Sequence, residues 1–193
     1  MAKKTRPENV GLNLGPLHQS EWTPPLHIIA DSVLRQYASE IVEPTEGDFR
    51  FSLTTAGRPW RSQLVVHEHE RVVVFYAYTD VAFMSATPHR VMSVIASLSE
   101  ELVLGSFEYQ ADRHAVYFRS SCVLGKANPE KELDGLLNSS EWPLRFWNAA
   151  IPLVEASTVR PDEICSIALF KAGLVPKIPL STAAMKFVLR VEE

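Results

Sequence analysis

Residues 49–78 read FRFSLTTAGRPWRSQLVVHEHERVVVFYAY, and this stretch decides the fold. Phe49, Phe51 and Leu53 alternate with Arg50, Ser52 and Thr54, the period-2 signature of a half-buried strand. Ala56-Gly57-Arg58-Pro59 makes a turn, and Trp60, Ser62, Leu64 and Val66 carry a second strand back. A tight polar turn, Glu68-His69-Glu70, leads into a third run from Arg71 to Tyr78, apolar on both faces as a central strand would be. Connections this short join antiparallel neighbours, so the segment reads as a meander.

Working outward, Thr23 reads as a helix cap and Pro24 suits the first helical position. Apolar residues at 26, 29, 30, 33, 34, 37 and 41 form one helical stripe, which Glu43-Pro44-Thr45-Glu46-Gly47 ends. Downstream, Thr87-Pro88 repeats the signal before a stripe of Val91, Val94, Ile95, Leu98 and Leu102. Val103 to Gln110 and His114 to Val123 read as two more strands joined by Ala111-Asp112-Arg113. Asn128-Pro129 opens a third helical region, with Glu130 and Glu132 in its dipole-favoured first turn and Leu133, Leu136 and Leu137 on its face. Pro143 and Pro152 are expected to break or kink it, giving one helix to about Asn138 and another from about Ser140 to Glu155. Arg160-Pro161-Asp162-Glu163 starts a short helix ending near Gly173, and Met185 to Val191 alternates like a late strand. The expectation is an α+β protein, an antiparallel sheet with order α-βββ-α-ββ-α plus a C-terminal extension. Residues 1–22 read as an N-terminal arm, 23–155 as a single domain, and 156–193 as an extension packing on it.

The whole chain is 193 residues, 46% hydrophobic and 22% charged, which excludes a disordered chain, a fibrous rod and a disulfide-dense scaffold. Its net charge of −4 weighs against nonspecific binding to nucleic acid or anionic membranes. Cys122 and Cys165 make neither a metal quartet nor a Cys-x-x-Cys pair, as in a reducing compartment. The basic start, Lys3-Lys4-Thr5-Arg6, leads into no apolar run, and no stretch is apolar enough for a membrane helix, so a cytoplasmic location is expected.

Leu104-Gly105-Ser106-Phe107-Glu108-Tyr109 runs leucine, glycine, any residue, then an aromatic. A polar turn, Ala115-Val116-Tyr117-Phe118-Arg119-Ser120, a short loop and a leucine-bearing acidic helix follow, running toward Ala150-Ile151-Pro152-Leu153-Val154. This succession, over roughly 24–155, resembles the YbjN-type family of sensory transduction regulators, and the order of elements resembles the type III secretion chaperone-like fold. The chain departs from the family pattern at Pro143, which splits the last helix, and at residues 156–193, which have no place in the basic fold. The resemblance implies a noncatalytic binding or regulatory role, often with dimerisation, and carries no catalytic residues.

The residues themselves offer few sites. His67-Glu68-His69-Glu70 could place His67 and His69 on one side of a strand like two metal ligands, but at a hairpin tip they read as a solvated turn. Cys122 falls on the inward set with Val116, Phe118 and Ser120, and His114 is too distant along the strand to activate it locally. No P-loop, Gly-x-Gly-x-x-Gly or Gly-x-Ser-x-Gly occurs. Glu100-Glu101, Glu130/Glu132 and Asp162-Glu163 suit helix ends or wet faces better than acid–base work. Arg58-Pro59-Trp60-Arg61 could stack on a base or sugar, but Trp60 alternates with Leu64 and Val66 and reads as core.

Trp142-Pro143-Leu144-Arg145-Phe146-Trp147 holds more large aromatics than one core-facing stripe needs. Trp142, Arg145, Phe146 and Trp147 are therefore the candidate partner-binding residues. The reading is a noncatalytic, chaperone-like protein-binding or regulatory module, homodimeric, with a protein or peptide partner, no nucleic acid or membrane, no cofactor and no enzymatic activity. The alternative is a small-ligand sensor or enzyme with a pocket between sheet and helices.

Overall fold

The computed structural model of the chain describes residues 24–173, apart from 80–82, 84, 85, 87 and 157. Within them, α1 (Leu26–Leu34) precedes β1 (Ile41–Thr45), β2 (Asp48–Thr55), β3 (Arg58–His67) and β4 (Val72–Tyr78). Then come α2 (Pro88–Ser99), β5 (Ser106–Gln110), β6 (Ala115–Val123), α3 (Pro129–Glu155) and α4 (Pro161–Lys171). The strands form one six-stranded antiparallel sheet in the order β1-β2-β3-β4-β6-β5. The α+β class and the meander agree with the sequence. The arm at 1–22 and the strand at 185–191 lie outside the described residues. No helix among the described residues is long and apolar enough to cross a membrane.

The chain departs from expectation first at residues 35–47. The helix stops at Leu34, and Ile41–Thr45 adds a strand ahead of the meander. Ile41 satisfies the helical stripe, but it also satisfies strand parity and pairs with Phe51 on the core side. Pro44 is tolerated because β1 is an edge strand whose register shifts between Val42 and Thr45. The β1–β2 turn needs the left-handed Gly47, at φ 78°, whose N–H donates to the Glu43 carboxylate at 2.7 Å.

The start of α1 is also capped differently. Its N-cap is Pro25, with no side-chain cap of its own. Glu68, from the β3–β4 turn, instead accepts the N–H groups of Leu26 at 3.0 Å and His27 at 2.8 Å. These are orphan donors of the first helical turn, satisfied by a carboxylate 41 and 42 residues away in sequence.

The second departure is α3, which runs unbroken over 27 residues through Pro143 and Pro152. An interior proline costs about 3 kcal/mol. On both sides of Pro143 the helix buries one continuous stripe: Leu133, Leu136 and Leu137 before it, Leu144, Phe146, Trp147 and Ile151 after it. Each such side chain returns about 1.5–3 kcal/mol, so packing outweighs the local penalty. At its C-terminus, Arg90 of α2 donates to the carbonyls of Leu153 (2.9 Å), Val154 (2.7 Å) and Ala156 (2.6 Å).

All the described helices pack on one face of the sheet. Phe49, Leu53, Trp60, Leu64, Phe75, Ala77, Phe107 and Phe118 point inward into a single core. That core includes Leu34 of α1, Val94 of α2, Leu144 of α3 and Ile164 of α4. Phe107 stacks on Trp147 with ring centroids 5.0 Å apart and tilts against Phe118 at 5.1 Å. Thus α4, read as part of an extension, shares the core of the sheet domain.

Candidate functional site

Strand alternation sends the opposite set of residues to the face that no described helix covers. Two rows cross it in direct register. One runs Arg50, Gln63, Tyr76 and Arg119; the other runs Ser52, Arg61, Tyr78, Tyr117 and Glu108. The inward rows between them, such as Phe51, Ser62, Ala77 and Phe118, are buried, which fixes this parity.

Tyr76, Tyr78 and Tyr117 form one aromatic block. Their ring centroids are 5.7 Å (Tyr78–Tyr117), 6.2 Å (Tyr76–Tyr78) and 6.3 Å (Tyr76–Tyr117) apart. The Arg119 guanidinium lies 5.9 Å from the Tyr76 centroid, within cation–π range. The Tyr117 hydroxyl donates to Glu108. Burial, then that carboxylate partner, push its phenol up to about 12. Burial and Tyr76 also raise Tyr78, with Arg113 and Arg50 acting in the opposite sense. Both phenols therefore stay neutral donors at physiological pH.

Beside the tyrosines is an open pocket of about 320 Å³, walled by Arg50, Arg61, Arg113, Gln63 and Tyr78. Asp48 accepts from Gln63 Nε2 at 2.8 Å and lies 3.3 Å from Arg50 Nη2. Arg113 stands 3.9 Å from Asp112, and both are well exposed. Three arginines thus meet at one pocket, two of them with an aspartate alongside, on a chain whose net charge is −4.

The structure separates the four candidate partner residues. Phe146 and Trp147 are 0% exposed and belong to the core, so they pack their own chain and offer nothing to a partner. Trp142 is half-buried against that core. Arg145 is exposed, and its Nη2 donates to the Ala172 carbonyl at 2.9 Å, holding the end of α4. The aromatic surplus in 142–147 is explained by α3 burying side chains against the sheet and against α4.

The other candidates are dispersed. His67 and His69 are exposed at the end of β3 and in its turn, while the Glu68 carboxylate between them turns to α1. Burial alone would push Glu68 up. The N–H bonds from His27 and Leu26 and the His27 side chain, with Nδ1 at 2.9 Å, together hold it below the usual carboxylate range. Among the described residues no three His, Cys, Asp or Glu side chains gather as metal ligands. Cys122 faces inward opposite Val73, and burial followed by Glu132 pushes its thiol up. Burial pushes Cys165 up to about 12, and its Sγ lies 3.7 Å from the Val94 carbonyl. Neither thiol is activated as a nucleophile would be. Trp60 is core, as expected.

The outward Tyr and Arg residues do not stand out in the sequence because 71–78 is rich in apolar residues on both sides. The signal is the parity of Tyr76 and Tyr78 against Phe75 and Ala77.

Comparison with known proteins returns no matching family model, no matching curated protein and no matching solved structure.

Proposed function

We propose that the chain is a noncatalytic protein-binding or regulatory module, chaperone-like and homodimeric, the role that the YbjN-type resemblance implies. The observation that supports it is the sheet face that no described helix covers, carrying Tyr76, Tyr78 and Tyr117 among Arg50, Arg61 and Arg119. Tyr and Arg are the residues that most often anchor protein interfaces, because they bury large area and still keep a polar end. Set on paired strands, they lose little further entropy when a partner covers them.

The test is capture of protein from a native lysate on the intact chain and on a variant carrying Tyr76→Ala and Tyr117→Ala. A protein retained by the first and lost from the second, at unchanged melting temperature, supports the reading. Equal capture by both, or none by either, contradicts it. Light scattering addresses the dimer: a monomer at micromolar concentration removes that part of the proposal.

A further inference from the structure

We infer that the pocket between Arg50, Arg61 and Arg113 receives a Glu or Asp side chain of the partner. The occupant of this face is then an acidic peptide segment lying over the tyrosine block. The inference rests on the protein-binding reading and adds the chemistry of the partner.

Charge complementarity carries it first. Arg50, Arg61 and Arg113 line one pocket of about 320 Å³, the charges of Arg50 and Arg113 act on the Tyr78 hydroxyl at its wall, and a guanidinium fork matches a carboxylate with two parallel hydrogen bonds. Among the described residues, Glu108 takes the Tyr117 hydroxyl, Asp48 takes Gln63 and Arg50, and Asp112 stands beside Arg113. The Arg50–Asp48 contact at 3.3 Å and the Arg113–Asp112 contact at 3.9 Å are surface pairs, worth little, so Arg50 and Arg113 can turn to a better-placed carboxylate at small cost.

The same face disfavours a nucleic acid. Stacking on bases needs open ring faces. Here Tyr76 and Tyr78, at 6.2 Å and 15°, and Tyr78 and Tyr117, at 5.7 Å and 30°, each turn a ring face toward a neighbouring tyrosine. A long polyphosphate would also meet the field of a chain of net charge −4, whereas a short acidic segment meets only the local arginines. Beside the pocket, the Tyr78 hydroxyl and the Gln63 side chain, 3.4 Å apart, offer polar groups to a peptide backbone.

The experiment selects random peptides displayed on phage against the immobilised intact chain. It runs in parallel on a variant with Arg50→Glu and Arg113→Glu and on the Tyr76→Ala/Tyr117→Ala variant. If the charge-reversed protein does not keep its melting temperature, Arg50→Gln with Arg113→Gln replaces it. Peptides from the intact chain are expected to be rich in Glu and Asp, to weaken about tenfold or more on the charge-reversed variant, and to weaken with added salt. Selection of non-acidic peptides, or acidic peptides that ignore the charge reversal, would overturn the inference. So would tighter binding of a labelled oligothymidylate than of the selected acidic peptides. Peptides that need the tyrosines but not the arginines would overturn it and leave the protein-binding reading standing. Recovery of no peptide would overturn both.

Discussion

Gly105 has a φ of 80°, and a Cβ there would meet the Phe118 ring at 2.6 Å and the Arg119 carbonyl oxygen at 2.7 Å. Both neighbours belong to β6 and are held in the sheet, so neither can move aside cheaply. Gly105→Ala is therefore expected to cost about 2 kcal/mol or more, read as a lower urea midpoint. An unchanged midpoint would show that the turn relaxes. Glu68 makes a second prediction at this scale. Glu68→Gln is expected to cost about 1 kcal/mol at neutral pH, since a remote side chain does the work of an N-cap. Its folded carboxyl titrates below the unfolded value of about 4.3, so its contribution is complete above that pH and disappears as pH falls through the folded value. The gap in urea midpoint between the two proteins should close in strong acid; a constant gap would contradict this cause. Phe146→Ala, in the aromatic segment 142–147, is expected to cost about 3–5 kcal/mol, far more than Trp142→Ala at its half-buried position. No local pattern separates these two aromatics, because only the depth of α3 against the sheet decides which is covered.

The elements show where local rules suffice and where they fail. The strands of the meander, β6, α2 and α4 follow from alternation, helical spacing and turns, because one face of each is buried and each is short; β5 starts at Ser106 rather than Val103, which is exposed. Ile41 fits both periods, and only its pairing with Phe51 makes it a strand residue. Pro143 is a breaker by propensity, yet α3 continues because its stripe is buried on both sides of it. The end of α3 depends on α2 in turn. Arg90→Met is expected to lose about 2 kcal/mol, because it leaves the carbonyls of Leu153, Val154 and Ala156 without these donors. Arg90→Lys should recover only part of that, since an ammonium cannot span the three oxygens as the fork does. Urea denaturation of the three proteins checks the order; full recovery by Lys would reduce the contact to simple charge.

For the whole molecule, the arrangement of charge and surface matters more than composition. Average hydrophobicity and a net charge of −4 suggest nothing positive, yet the fold brings Arg50, Arg61 and Arg113 to one pocket and Tyr76, Tyr78 and Tyr117 to one block. These residues come from β2, β3, β4, β6 and the β5–β6 turn, so only the strand order and register reveal them together. The sequence does contain their parity; it does not contain their neighbours. The most direct measurement is the affinity of a captured protein partner for two variants, Tyr76→Ala/Tyr117→Ala on the sheet and Trp142→Ala/Arg145→Ala on α3, by biolayer interferometry. The sheet variant is expected to lose binding and the α3 variant to retain it. Loss on the α3 variant with retention on the sheet variant would contradict it and return the partner site to residues 142–147.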